Sequence, residues 1–208
     1  MAIIVDVPFL KKDEFKKDGG RWDAEMRTWY IPDHAQIENF KGWLPSECSM
    51  IIKSPFYLVL AERTCWKCSQ TTPLLSIGSD DYIEYQEEEC CDGEDYSWQW
   101  GNEFILLESV TFLPAQIVHL IQTEYPFFQH QYSRQVGGKY WGNKCVHCGA
   151  LQGDWFNHNE PDGAFFPCSA EEARAIRLVE MKFKYDFPIV GSVSFGDTTE
   201  LIREYSQR

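Results

Sequence analysis

The sequence predicts an α+β fold: a small β-α-β-β unit at the N-terminus, then a zinc-ribbon-containing α+β domain. Three observations carry this. Two C-x-x-C pairs, Cys65-Trp-Lys-Cys68 and Cys145-Val-His-Cys148, each lie between strand-like segments. Near the N-terminus, short β-rich runs flank one charged helical stretch. Two helix starts in the second half, Leu113-Pro114 and Ser169-Ala-Glu-Glu172, carry the chemistry of a helix N-terminus. The expected boundaries are 1–47 for the first unit and 54–208 for the second, with an acidic insertion at 78–103.

A chain of 208 residues can bury a real core. Aromatic residues make up 15%, with eight Trp and ten Tyr. No apolar run approaches the ~20 residues of a membrane helix, and the first residues lack the basic, apolar and cleavage regions of a signal peptide. A cytoplasmic protein is therefore expected. Thiols stay reduced in that compartment, so paired C-x-x-C motifs read as metal ligands rather than a disulfide framework. The formal charge of −13 is concentrated. Eleven acids and no Lys or Arg lie between Ser76 and Ser109, which leaves about −2 for the remainder. A global basic footprint for nucleic acid is absent, so any such contact needs a local patch.

Ile3 to Val7 reads as a strand stopped by Pro8. Lys11 to Asp18 reads as a short helix with Phe15 on its apolar side, ended by Gly19-Gly20. Arg21 to Ile31 reads as two strands about a turn near Asp23 to Arg27, with Trp22, Trp29 and Ile31 packing on Val5, Val7 and Phe9. Ile37, Phe40, Trp43 and Leu44 have helical spacing. A unit this small needs large side chains in its core. Alternatively Arg21, Trp22, Arg27 and Tyr30 form a stacking platform for bases or a peptide, with Lys11, Lys12, Lys16 and Lys17 beside it.

The run from Val7-Pro-Phe through Lys11-Lys-Asp, Gly19-Gly-Arg-Trp-Asp23 and Arg27-Thr-Trp-Tyr-Ile-Pro32 resembles the small bacterial domain of unknown function DUF5710. Gly20 stands where that family often has Ala, a minor departure. The resemblance implies a nucleic-acid or mobile-element context, since the family occurs beside plasmid and phage-like DNA-processing modules. It carries no catalytic residue to transfer.

Ser46 to Lys53 reads as a junction, and Cys48 within it has no expected metal role. Phe56 to Ala61 leads into the first knuckle and Thr71 to Ile77 leads out; Lys139 to Asn143 and Gly149 to Gly153 flank the second. Cys65, Cys68, Cys145 and Cys148 supply the four thiolates that one structural Zn²⁺ takes tetrahedrally. A redox C-x-x-C opens a helix, but Pro73 interrupts the segment after the first pair, and Gly149 and Gly153 that after the second. With four cysteines closing the site, His147 reads as a surface residue. The run Cys145 to Asp154 is similar to those of uncharacterised bacterial proteins.

The acidic insertion, with Cys90-Cys91 at its centre, reads as a solvated loop. Vicinal cysteines chelate one ion poorly, so other readings are a second metal site with Cys168 or His158, or an acidic face for a basic partner. Phe104 to Phe112 reads as a strand and Pro114 to Tyr125 as a helix; Phe127 to Tyr140 has no clear assignment. Ser169 opens a helix expected to reach Glu180, Phe187 to Phe195 is a strand, and Thr198 or Thr199 caps a C-terminal helix over Glu200 to Tyr205.

The function expected is a non-enzymatic, zinc-stabilised bacterial protein that binds a nucleic acid or a protein through its N-terminal unit. No membrane and no small-molecule cofactor are implied. One alternative is an inhibitor or immunity-type protein that neutralises a basic partner with its acidic segment. Another is a metal-dependent hydrolase using Asp154, His158 and Glu160.

Overall fold

Apolar alternation at Ile3, Val5, Trp29 and Ile31 gives the first sheet one face to bury, and the chain closes it over a single short helix. The computed structural model describes residues 2–90 and 93–208, with side chains for all of these except 35, 87–90 and 93–96. The first unit comprises β1 (Ile3–Val5), α1 (Lys12–Lys17), β2 (Arg21–Asp23) and β3 (Thr28–Ile31), in sheet order β1-β3-β2. Gly19 ends α1 at φ +97°, a left-handed conformation that glycine adopts cheaply. The helically spaced residues that follow form a 3-10 helix, His34–Trp43. Phe15 is fully buried and meets Trp29, Phe40 and Trp43 edge-on at 5.0–5.7 Å between ring centroids.

Gly20 is more than a minor departure from the family pattern. A Cβ there would lie 2.1 Å from Cε1 of Phe15, so the ring occupies the space an alanine methyl would need. Gly20→Ala should therefore cost about 1–3 kcal/mol through overpacking. An unchanged urea midpoint would contradict this packing.

The larger sheet has eight strands. The first six in chain order are β4 (Met50–Ile52), β5 (Phe56–Thr64), β6 (Thr71–Ser79), β7 (Tyr82–Cys90), β8 (Gly93–Gly101) and β9 (Ile105–Phe112). After helix α2 (Ala115–Glu124) come the hairpin strands β10 (Phe128–Ser133) and β11 (Gly138–Lys144), then β12 (Leu151–Gln152). Helices α3 (Asp154–His158) and α4 (Ala170–Ala173) precede β13 (Arg177–Met181), β14 (Phe187–Ser194) and the last helix, α5 (Asp197–Tyr205). The sheet order is β13-β5-β6-β9-β14-β4-β7-β8, and β10-β11-β12 form a third sheet.

Several expectations change. The stretch read as a junction carries β4, buried between β14 and β7. The acidic insertion is a hairpin rather than a loop: β7 and β8 pair in continuous register from Tyr82↔Gly101 to Cys90↔Gly93. Cys91, and with it the Cys90-Cys91 pair, lies outside the described residues. The helix from Ser169 ends at Ala173, because Arg177–Met181 pairs with β5 instead. Its N-cap bond does form, Glu172 N–H donating to Ser169 Oγ at 3.3 Å, while the Glu172 carboxylate reaches one residue further back than in a capping box and accepts from Cys168 N–H at 2.7 Å. The C-terminal helix starts at Asp197 after Gly196 (φ +101°); Thr199 lies inside it and donates back to the Gly196 carbonyl.

The first unit is joined to the rest by backbone and core. Ile4 N–H donates to Asp186 O and Asp186 N–H to Ala2 O, both at 2.9 Å. Ile51 and Ile83 complete the apolar cluster around Phe15, while Ile4 belongs to the central core with Phe56, Ile105 and Phe187. Asp23 holds the β2–β3 turn through the N–H groups of Glu25 and Met26. Its other oxygen accepts from Lys184 Nζ at 2.6 Å and from Tyr185 OH. The Lys184 bond first, then Tyr185, holds the Asp23 carboxyl well below the usual range.

Candidate functional site

Two features of the fold concentrate chemistry: the cysteine knuckles and a cleft on the first unit. At the knuckles the chain makes the same turn twice. Cys65 N–H donates to Gln70 O and Ser69 N–H to Cys65 O; Cys145 N–H donates to Ala150 O and Gly149 N–H to Cys145 O, all at 2.9–3.0 Å. The residue after each pair is left-handed, Ser69 at φ +58° and Gly149 at φ +70°. Glycine adopts this conformation freely at 149, whereas Ser69 holds it with strain.

The two turns face each other. Val146 N–H donates to Thr72 Oγ1 at 3.1 Å, and the His147 ring bonds the Thr71 carbonyl at 2.9 Å, so His147 braces the knuckles and is no ligand. Behind them, the Asn143 amide bonds both backbone groups of Leu75, at 2.8 and 2.9 Å, tying β11 to β6.

All four sulfurs lie within 4.8 Å of one another and could hold a metal ion. Cys65–Cys148 and Cys68–Cys145 are each 3.7 Å apart. This is too long for a disulfide and close to the roughly 3.8 Å edge of a tetrahedron with ~2.3 Å metal–sulfur bonds. Cys65 and Cys145 are buried, and Lys67 N–H and the Gln152 amide both point at the Cys65 sulfur at 3.4 Å. Burial opposes the Cys65 thiolate, but the N–H groups of Cys68 and Lys67 outweigh it and lower its pKa. Cys68 accepts from Gln70 N–H, yet burial and the three neighbouring sulfurs push it up. Four thiolates would gather here only around a cation. Cys48 and Cys168 lie outside the cluster.

Asp154, His158 and Glu160 are not brought to one accessible point. In β9 the register against β14 shifts between Val190 and Ser192, and Ser109 turns to φ +48°. That bulge directs Ser109 N–H to the buried Asp154 carboxyl at 2.8 Å. His158 is buried against Phe165, with Nδ1 3.9 Å from Glu108 Oε1. Asp154 and His158 face a cavity of only about 10 Å³, while Glu160 turns to Trp155 Nε1. No substrate fits there.

The second feature is a cleft of about 710 Å³ on the first unit. Phe9, Trp22 and Trp29 line it with Lys12, Lys16 and Arg27. Trp22 and Trp29 are cross-strand partners with ring centroids 5.1 Å apart. Lys12 Nζ sits 4.0 Å from the Phe9 ring centroid, and Lys16 Nζ 5.7 Å from that of Trp29. Of the four residues expected to form a platform, Trp22 and Arg27 line the cleft. Arg21 is exposed outside it, and Tyr30 packs on Tyr185 at 5.0 Å. Phe9 is 75% exposed rather than buried on Trp22. The lysines of α1 join the site through Lys12 and Lys16, one helical turn apart.

Residues 3–45, the part of the chain that builds this cleft, match the model of a family described as "Domain of unknown function (DUF5710)". Two Escherichia coli proteins named DNA primase TraC match a 39-residue stretch. One is 38% identical, over 19% of this chain and 3% of that protein; the other is 44% identical, over 19% and 4%. The match thus spans only a few per cent of the length of these curated relatives. No zinc-ribbon family matches, and no solved structure does. Among the described residues, no helix is long and apolar enough to cross a membrane.

Proposed function

We propose that this is a cytoplasmic, non-enzymatic binding protein that takes nucleic acid in the cleft of its N-terminal unit, with one structural zinc ion on Cys65, Cys68, Cys145 and Cys148. The carrying observation is where the cations lie. In a chain of net charge −13, Lys12, Lys16 and Arg27 converge on one aromatic cleft. The same segment resembles a stretch of proteins named for DNA primase activity. Zinc is favoured by the all-sulfur donor set and its near-tetrahedral spacing. A compartment that keeps thiols reduced suits such a site.

Anisotropy of a short fluorescein-labelled oligothymidine, titrated with the zinc-loaded protein across a salt series, tests the reading. Three phosphate contacts on a single strand predict a slope of about −2 in log K against log salt. Lys12→Gln with Lys16→Gln should weaken binding and flatten that slope. An absence of binding at low salt would sink the proposal.

A further inference from the structure

The cleft is built from rings as much as from cations, and the rings bear on which nucleic acid enters. Resting on the nucleic-acid reading above, we propose that it selects an unpaired strand: Trp22 is the stacking face for a base, and Lys12 and Lys16 hold the phosphates beside it. In a duplex the faces of the bases are covered by their neighbours, so a recessed indole meets only sugar and phosphate. In a single strand each base offers an aromatic face, and stacking on it is tolerant of sequence.

The local geometry suits this role. Trp22 is braced on one side by Trp29 and is still 46% exposed. Phe9, on the 3-10 turn that leads into α1, is 75% exposed and lines the same cleft. Lys12 lies over the Phe9 ring and Lys16 over the Trp29 ring. A base that moves onto an aromatic face displaces the ammonium group covering it and leaves that cation beside the incoming phosphate. Lys12 and Lys16 are four residues apart on one helix, about 6 Å along its axis, a spacing that suits successive phosphates of an extended strand. Asp6 also lines the cleft and opposes phosphate at that point, so the backbone path runs along the α1 side. Gln116, from α2, is the one lining residue drawn from outside the first unit; it donates to Thr28 Oγ1 at 2.9 Å and fixes that wall.

The test compares three labelled probes on the zinc-loaded full chain: oligothymidine, a duplex of the same length, and an abasic strand with the same phosphates and no bases. Oligothymidine should bind with quenching of tryptophan fluorescence and should outcompete the other two. Trp22→Ala should weaken it about tenfold or more, the worth of one stacked base, whereas Trp22→Phe should retain most of the binding. Trp22 is half exposed, so both variants should keep wild-type circular dichroism and metal content. Equal binding of all three probes, or an unchanged Trp22→Ala protein, would overturn the stacking role and leave phosphate binding intact. Failure of every probe at low salt would overturn both this inference and the reading it rests on, and would leave the cleft to a protein partner.

Discussion

Cys65→Ser and Cys145→Ser proteins will each lose the zinc proposed for the four-cysteine cluster and, with it, cooperative folding around the knuckles. Structural zinc on thiolates contributes roughly 10–16 kcal/mol to folded small domains. That is as large as the whole stability of an ordinary domain, about 5–15 kcal/mol. The dependence is steep here because each knuckle closes the end of a strand ladder. β5 and β6 pair from Tyr57↔Gly78 up to Thr64↔Thr71, so the first turn closes the end of their ladder. The second turn joins β11 to β12, which pair only at Asn143↔Gln152 and Lys144↔Leu151. With no cation at the cluster, nothing draws the four sulfurs together, and burial with the neighbouring sulfurs favours the protonated thiol at Cys68. Atomic emission should find about one zinc per chain in the wild type and little in either variant, with thermal unfolding broadened and shifted far down. Cys48→Ser and Cys168→Ser should keep both metal and melting temperature. A Cys145→Ser protein that melts like the wild type would show that the cluster holds nothing structural.

The second large effect lies at Asp154 and His158, which exchange a proton preference on folding. Burial first, then the nearby Glu108 charge against the Ser109 N–H, raises Asp154 to about 7, so folding favours its protonated form. Its contribution is complete below an unfolded value near 3.8 and is lost as pH climbs to about 7. Burial lowers His158 to about 3, so folding favours the neutral ring. That contribution is complete above 6.5 and is lost as pH falls towards about 3. Between about pH 4.5 and 6.5, one group takes up a proton on folding while the other releases one, so their slopes cancel. The His158 ring is therefore uncharged at its 3.9 Å approach to Glu108, and the two do not form an ion pair.

Asp154→Asn leaves the histidine alone, so stability should fall by about 1.4 kcal/mol for each pH unit lowered across that window, relative to wild type. His158→Gln leaves the aspartate alone and should reverse the sign. Urea titrations at several pH values measure both slopes. Parallel curves for wild type and Asp154→Asn would contradict the paired arrangement.

How much of this was legible in the sequence differs from element to element. The knuckles were readable because four thiols at C-x-x-C spacing have few other uses in a reducing compartment, and strand-forming residues flank both. Gly19 and Pro114 marked helix limits through backbone constraints that hold in any context. The cleft was half readable. Antiparallel partners share a face, so the Trp22–Trp29 pair puts Arg21 and Tyr30 on the other side, a parity visible in the strand pattern itself. That Phe9, Lys12 and Lys16 would meet Trp22 depended on how α1 docks.

The misread segments were decided by distant partners. Residues 174–180 follow a sound helix start, but pairing with β5 offers Leu178 a buried place in the core. Met50–Ile52 is only three residues long, yet it has partners on both sides. The acidic stretch looked solvated because like charges repel, but Tyr82 and Ile83 anchor its first strand in two apolar clusters. No local pattern announced the β9 bulge that turns Ser109 towards Asp154.

The most direct test follows the indole N–H signals of the eight tryptophans by heteronuclear NMR while oligothymidine is added to the zinc-loaded protein. The Trp22 and Trp29 signals should move first and saturate together, while those of Trp66 beside the cysteine cluster and Trp155 on α3 stay in place. Shifts centred on Trp66 or Trp155, or a spectrum that does not change, would place the function away from the N-terminal cleft.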